Sequence, residues 1–403
     1  MPTDPEAYPL DIEYVQNPHE IEAKLRIEAH VRLVQTPRGM RSWLVTRYED
    51  VKQVLTSPDV HKDEGRRAQI IAERHGSSFA MLSPAFRLLE VHMLNSDPPD
   101  HTRLRRLVAK VFTTRAIARL RPRIESVTAE LLDAMAGQDR VDLVASFAAP
   151  LPMIVICELL GVPETDREKF GSWVEVITSA GDQRLVEASE LFLTYLRDLV
   201  TAKRAEPAED LLSDLVAVTD SGDRLSEQEL VAMAELLVIA GHDTTVSLIA
   251  NGTLALLRAP AQLAALRADP SLVPNAVEEL LRYDGPVHIA TTRFTTAPIT
   301  VGGVEIPANE FLSVSLLSAN RDGERFADPD ELDVTRPAGG HLAFGHGIHH
   351  CLGAPLARLE GAIALGALIE RFPALRLADG ADPARWRFST LMRGLEELPV
   401  ATR

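Results

Sequence analysis

The sequence predicts a mainly α fold with small β-sheets set to one side (α+β), organised as a single domain over residues 1–403. Three observations predict it. Apolar residues recur at three-and-four spacing through most of 99–204, and one uninterrupted helical pattern exceeds thirty residues. Short apolar runs punctuated by Gly and Pro gather instead around 31–46 and 289–317.

Residues 31–46 flank Pro37-Arg38-Gly39 with apolar runs, a hairpin signal. The helical pattern from Pro99 to Arg204 is broken at Gly137, Gly161-Val162-Pro163 and Gly181-Asp182. Ser226-Glu227-Gln228-Glu229 has the pattern of a capping box. The helix it opens runs to Arg258, is stopped by Pro260, and is long enough to cross the middle of the molecule. Another helix is expected over about 272–283. After it come β pieces near 289–294 and 299–304, an extended run over 311–317, and terminal strands near Phe388. The last long helix follows Cys351 and ends before Pro373. Segments 61–94 and 181–188 have weak periodicity, and long irregular stretches inside a domain tend to be functional.

A hydrophobic content of 46% and a charged content of 25% belong to an ordinary globular chain with a large core. Met1 to Glu6 shows no basic region followed by an apolar stretch, so no secretory signal is expected. The longest apolar runs fall short of the roughly 20 residues that span a bilayer. With free thiols, the expectation is a cytoplasmic protein without a membrane partner. A formal charge of −16 argues against nucleic acid as a partner.

Two cysteines exclude a disulfide framework or a multi-cysteine metal site. Cys157 lies in an apolar helical run and reads as core. Cys351 differs. It sits in Phe344-Gly345-His346-Gly347-Ile348-His349-His350-Cys351-Leu352-Gly353, directly before an apolar helix. A helix N-terminus and the amides of a turn stabilise a thiolate. Gly345, Gly347 and Gly353 let the backbone approach a flat, bulky group. Within the long helix, Ala240-Gly241-His242-Asp243-Thr244-Thr245 interrupts apolar neighbours with polar residues and a glycine, which costs about 1 kcal/mol relative to alanine. Glu279 and Arg282 share a helix face, as do His101 and Arg105.

The decapeptide resembles the haem-binding signature of the bacterial cytochrome P-450 superfamily, Phe-Gly-x-Gly-x-His-x-Cys-x-Gly, with every fixed position filled. The resemblance extends over nearly the whole chain and is nearest to soluble macrolide and polyketide tailoring hydroxylases. It implies a single-domain fold with the long helix over the haem. The implied cofactor is haem b (iron protoporphyrin IX), with Cys351 as axial ligand to the iron and Phe344, Gly345 and Gly353 shaping its loop. Cysteine ligation favours O–O cleavage over simple oxygen carriage.

By the same resemblance, Ala240 and Gly241 leave room for dioxygen while Asp243 and Thr244 supply its protons. His101, Arg105, Arg293 and His349 hold the two propionates. Glu279, Arg282 and Arg336 brace the cysteine loop. Leu237, Val287, Ile289, Leu391 and Met392 line an apolar substrate pocket, which also draws on 61–94. Arg103, Arg106 and Lys110 form a basic stripe, joined by Arg358, for docking a ferredoxin that works with its reductase.

The implied activity is oxygen-dependent hydroxylation or epoxidation of a hydrophobic small molecule in secondary metabolism, by a monomer. Two rivals remain at this stage. One is a haem-based sensor, against which Asp243 and Thr244 argue. The other is a zinc or non-haem iron site using His341, His346, His349, His350 and Cys351, although adjacent residues do not easily share one ion.

Overall fold

A computed structural model describes residues 7–75, 92–178, 183–220, 222–381 and 383–403. The chain divides into two compact units interleaved in sequence. The first comprises Met1–His61, Glu125–Pro150 and Thr244–Arg403; the second comprises Lys62–Ile124 and Leu151–Asp243.

The first unit holds a six-stranded sheet in the order Tyr8–Pro9, Val31–Gln35, Arg41–Val45, Phe311–Val314, Arg293–Thr295, Val60–His61. The expected hairpin is its seed: Val31 pairs with Val45 and Gln35 with Arg41. Phe311–Val314 then lies parallel to Arg41–Val45 and antiparallel to Arg293–Thr295. Alternation along these strands sends Val31, Val45, Leu312 and Val314 into a core shared with Val51 and Val54 of the Tyr48–Thr56 helix. A second core packs Val277, Leu280 and Leu281 of the Val273–Asp284 helix against Leu365 and Ile369 of the Ala354–Arg371 helix.

Three β expectations are corrected. The run 311–317 is extended only to Val314. The Ser315 hydroxyl then accepts the Ser318 amide at 3.0 Å, and Leu316–Ala319 turns into a short helix. Of 289–294 only Arg293 and Phe294 enter a strand, while Ile289 makes a single bridge to Ser315. The terminal strand is Pro399–Ala401, paired with Arg376–Leu377 and with Arg140–Asp142 inside the stretch that reads as helical.

The second unit is mostly helical, with one small hairpin of Thr219–Asp220 and Asp223–Arg224. Its helices include Glu64–His75, Asp100–Val111, Arg167–Thr178, Leu185–Ala205 and Leu211–Ala217. Glu64–His75 falls within 61–94, where no element was expected; 76–91 and 179–182 lie outside the described residues. Pro150–Leu159 ends as its breaker residues predict. Gly161 takes φ +65°, the Gly161 amide bonds Glu158 O at 3.0 Å, and the Val162 amide bonds Cys157 O at 2.7 Å. Cys157 is fully buried, and burial pushes its thiol up to about 12.

The long helix spans Glu227–Arg258, 32 residues. Its capping box is formed in both directions: Glu229 N–H to Ser226 Oγ at 3.2 Å, and Ser226 N–H to Glu229 Oε2 at 2.8 Å. Its apolar stretch is longer than the sequence reading allowed and suffices, by length and composition, to cross a membrane. However, 67% of that stretch is buried inside the protein, as in a core helix.

Ser226→Ala removes one half of the box and is expected to cost about 1 kcal/mol of stability. Urea unfolding should show a lower midpoint at unchanged slope.

Candidate active site

Cys351 occupies a loop whose path is fixed by its own amides. The Gly345 amide donates to Leu342 O at 2.8 Å, His350 to Gly347 O at 3.1 Å and Cys351 to Phe344 O at 2.9 Å. Gly345 and Gly347 take φ +71° and +74°, where a side chain would be strained. At Gly353 a Cβ would stand 3.8 Å from the cysteine sulfur. The sulfur itself is exposed, three residues before the Ala354–Arg371 helix, whose N-terminal dipole favours the thiolate. A soft anionic donor presented on a glycine-rich loop fits a haem iron. Among the described residues, no group of three or more His, Cys, Asp or Glu is placed to hold a bare metal ion. The four histidines near Cys351 therefore do not assemble the rival zinc or iron site.

Two adjacent carboxylates brace the segments leading to this loop. Glu279 and Arg282 are both 0% exposed and form a two-point pair at 2.7 and 2.8 Å. Glu279 also accepts Arg336 Nε at 3.2 Å and the Asp333 amide at 3.0 Å. The remaining Arg282 donors go to the carbonyls of Asn320, Pro329 and Glu331, at 3.0, 2.7 and 3.0 Å. Asn320 in turn accepts the Leu342 amide at 2.6 Å, two residues before Phe344.

Glu278 was not anticipated. It takes Arg358 Nε at 2.6 Å, Arg358 Nη2 at 2.9 Å and His341 Nε2 at 3.1 Å. Burial opposes its ionisation, but bonds from His341 and Arg358 prevail and hold Glu278 at about 2. The Arg358 guanidinium lies 4.5 Å from the Phe344 ring. It is held above the ordinary arginine range chiefly by its hydrogen bonds to Glu278, with a smaller attraction from Cys351. Arg358, expected as a docking cation, is thus first a brace of the loop.

On the long helix Asp243 and Thr245 are buried, Thr244 and His242 half-buried, and Ala240 exposed. A side chain on Gly241 would press on Ile156 at 3.2 Å, so this glycine also admits close packing.

The expected propionate donors divide between the units. Arg293, buried in its strand, donates to Thr291 O at 2.8 Å, and His349 lies in the turn Gly347–His349. In the second unit His101 is buried. Its pKa is depressed first by burial and then by repulsion from Arg105 and Lys62. Lys62, itself buried, is a cation that periodicity could not reveal; the only sign was the charged run His61-Lys62-Asp63. A buried concentration of positive charge suits a carboxylate ligand.

Around the expected pocket, Val287 bridges Met392 and the His288 amide donates to Leu391 O at 2.9 Å, while Leu237 is half-buried. Ile289 is instead committed to a core with Leu10, Tyr14 and Leu44. On the basic stripe, Arg103 is engaged by Asp223 and Glu229 and Lys110 donates to Thr219 O at 3.1 Å.

The sequence profile of Cytochrome P450 matches residues 169–388, more than half of the chain. The chain belongs to the cytochrome P450 family. Cytochrome P450 107B1 of Saccharopolyspora erythraea is 52% identical over 398 residues, 98% of each chain. Vitamin D(3) 25-hydroxylase of Pseudonocardia autotrophica is 48% identical, over 96% of this chain and 94% of its own. Polyketide biosynthesis cytochrome P450 PksS of Bacillus subtilis is 39% identical over 98% of both. Its solved structure matches with a TM-score of 0.89, covering 97% of this chain and 98% of its own. This P450 is a monooxygenase with a haem-iron cofactor that takes dioxygen, a small-molecule substrate and electrons from a redox partner.

Glu279→Ala strands two arginines and is expected to cost about 3–5 kcal/mol. It should be read as a fall in the ratio of Soret to protein absorbance. Glu278 has a folded pKa below its unfolded value near 4.5, so it stabilises above that pH and the contribution fades as pH falls toward 2. Glu278→Gln should therefore flatten the stability profile in that window and lower stability at neutral pH.

Proposed function

We propose that this P450 hydroxylates or epoxidises a bulky hydrophobic secondary metabolite of polyketide type, using haem b and electrons from a ferredoxin and its reductase. The observation that carries the reading is Cys351, exposed on its glycine loop at a helix N-terminus and braced through Glu278 and Glu279. Its support on the substrate side is the similarity to PksS, a polyketide biosynthesis cytochrome P450, and the apolar Val287, Leu391 and Met392. The vitamin D(3) hydroxylase supports a large hydrophobic substrate more generally. Residues 1–403 act in this reading as one cytoplasmic, monomeric enzyme.

Haem, when bound, supplies dioxygen activation and insertion of one oxygen atom into an unreactive C–H bond. The residues do the rest. Cys351 Sγ would be the ligand, its thiolate favoured by the N-terminal dipole of the Ala354–Arg371 helix. His101, Arg105, Arg293 and His349 hold the propionates, with Lys62 adding charge. Asp243 and Thr244, neighbours on the same helix, would deliver protons, Asp243 by way of water and Thr244 through its hydroxyl. Arg106, Lys110 and Arg358 offer positive charge to an acidic ferredoxin, which long-range attraction steers toward them.

The carbon monoxide difference spectrum of the reduced protein tests the ligand. A strongly red-shifted Soret band is expected, lost in Cys351→Ser; a band at the position of a histidine complex would sink the reading. Thr244→Ala should leave haem content unchanged and lower product formed per reducing equivalent several-fold, with a polyketide panel as substrates and steroids and fatty acids as comparison. Coupling unchanged in that variant would remove Thr244 from the proton path.

A further inference from the structure

A second cluster of chemistry lies in the first unit, among residues the oxygenase reaction does not use. A cavity of about 560 Å³ is lined by His19, Tyr283, Asp284, Arg321, Trp386 and Arg393, with apolar walls from Leu254, Ala255 and Leu332. Arg258 and Arg385 also line it, so four arginines face one described carboxylate in a chain whose net charge is −16.

Arg321 and Arg393 decide the chemistry. Their residues are only 7% and 6% exposed. Each guanidinium lies over an aromatic ring, Arg321 4.0 Å from the centroid of Tyr283 and Arg393 3.3 Å from that of Trp386. Arg321 donates through Nε to Tyr283 O at 2.8 Å and through Nη1 to Asp330 at 3.1 Å. Arg393 donates through Nε to Asp284 at 3.1 Å and through Nη1 to Val15 O at 3.2 Å. The second terminal nitrogen of each has no hydrogen bond among the described residues.

The carboxylates nearby are already occupied. Asp284 is shared by His19 Nε2 at 2.9 Å and Arg393, and Asp330 is largely exposed. Glu396 and Glu397, at 3.4 and 2.7 Å from Arg385, do not line the cavity. Burial, followed by repulsion from Arg321, depresses His19 to about 4, leaving it neutral. Its Nε2–H then donates to Asp284 and Nδ1 remains an acceptor. Arg393 is lowered by burial and is further repelled by Arg321 and Arg258.

We propose that this cavity binds a small organic oxyanion, a carboxylate or phosphate on a short apolar body, between Arg321 and Arg393. Stacking has fixed both side chains, so an anion gains charge-assisted hydrogen bonds without ordering long cations, and it relieves their mutual repulsion. Trp386, Leu254, Ala255 and Leu332 accept the apolar part.

The test is calorimetry on the holoenzyme with hexanoate, hexyl phosphate and hexanol, following the Soret band in parallel. Saturable binding of at least one anion is expected, without hexanol binding and without a Soret change. The tighter anion identifies the headgroup. Arg321→Gln and Arg393→Gln should each weaken binding at least ten-fold. Ala384→Phe, which fills the cavity from its half-buried rim and keeps both arginines, should abolish it while the haem spectrum stays intact. No saturable heat, equal affinity in all three variants, or binding that tracks the Soret band would overturn the proposal. Failure of the oxygenase reading would show in the carbon monoxide spectrum and leave this titration unaffected.

Discussion

The Glu279–Arg282 pair is the constraint on which the arrangement around the thiolate depends. Two fully buried charges survive only when every remaining donor and acceptor is satisfied. Here that requirement recruits Arg336, the Asp333 amide and the carbonyls of Asn320, Pro329 and Glu331. The segment before Phe344 has no long helix or strand of its own. Its path follows from what the guanidinium demands.

Glu278 extends this logic to the other side of the helix. Neighbouring residues on a helix point about 100° apart, so one acidic dipeptide reaches two targets. Glu279 turns inward to Arg282, while Glu278 meets Arg358 and His341 on either side of the cysteine loop. The loop glycines supply backbone conformations and the carboxylates supply rigidity. Neither would suffice to hold one sulfur in a defined place.

Much of this was legible in the chain because its signals are local. The capping box at Ser226, the Gly161 stop, the hairpin at 31–46 and the helix after Cys351 each depend on residues within a few positions. What escaped depends on distant partners. Arg140–Asp142 becomes a strand only because Pro399–Ala401 lies beside it. Leu316 becomes helical because Ser315 caps the turn and His288 O takes the Leu316 amide at 2.9 Å. In the site, spacing put Glu279 and Arg282 on one helix face, and the family resemblance singled out Cys351 and added Arg336 to that pair. Glu278 and Lys62 were not readable, since a charge next to a motif looks the same whether it faces solvent or a partner. The packing role of Gly241 against Ile156 was likewise not readable, because it too depends on a distant partner.

The contrast between the two cysteines has a practical consequence. Cys157 is enclosed, with its thiol held protonated, whereas Cys351 is the exposed one of the two cysteines. An alkylating reagent should therefore add one equivalent to each chain that lacks cofactor and none to a chain whose sulfur is coordinated. Intact-mass counting of that adduct measures the loaded fraction of a preparation without reference to colour, activity or substrate.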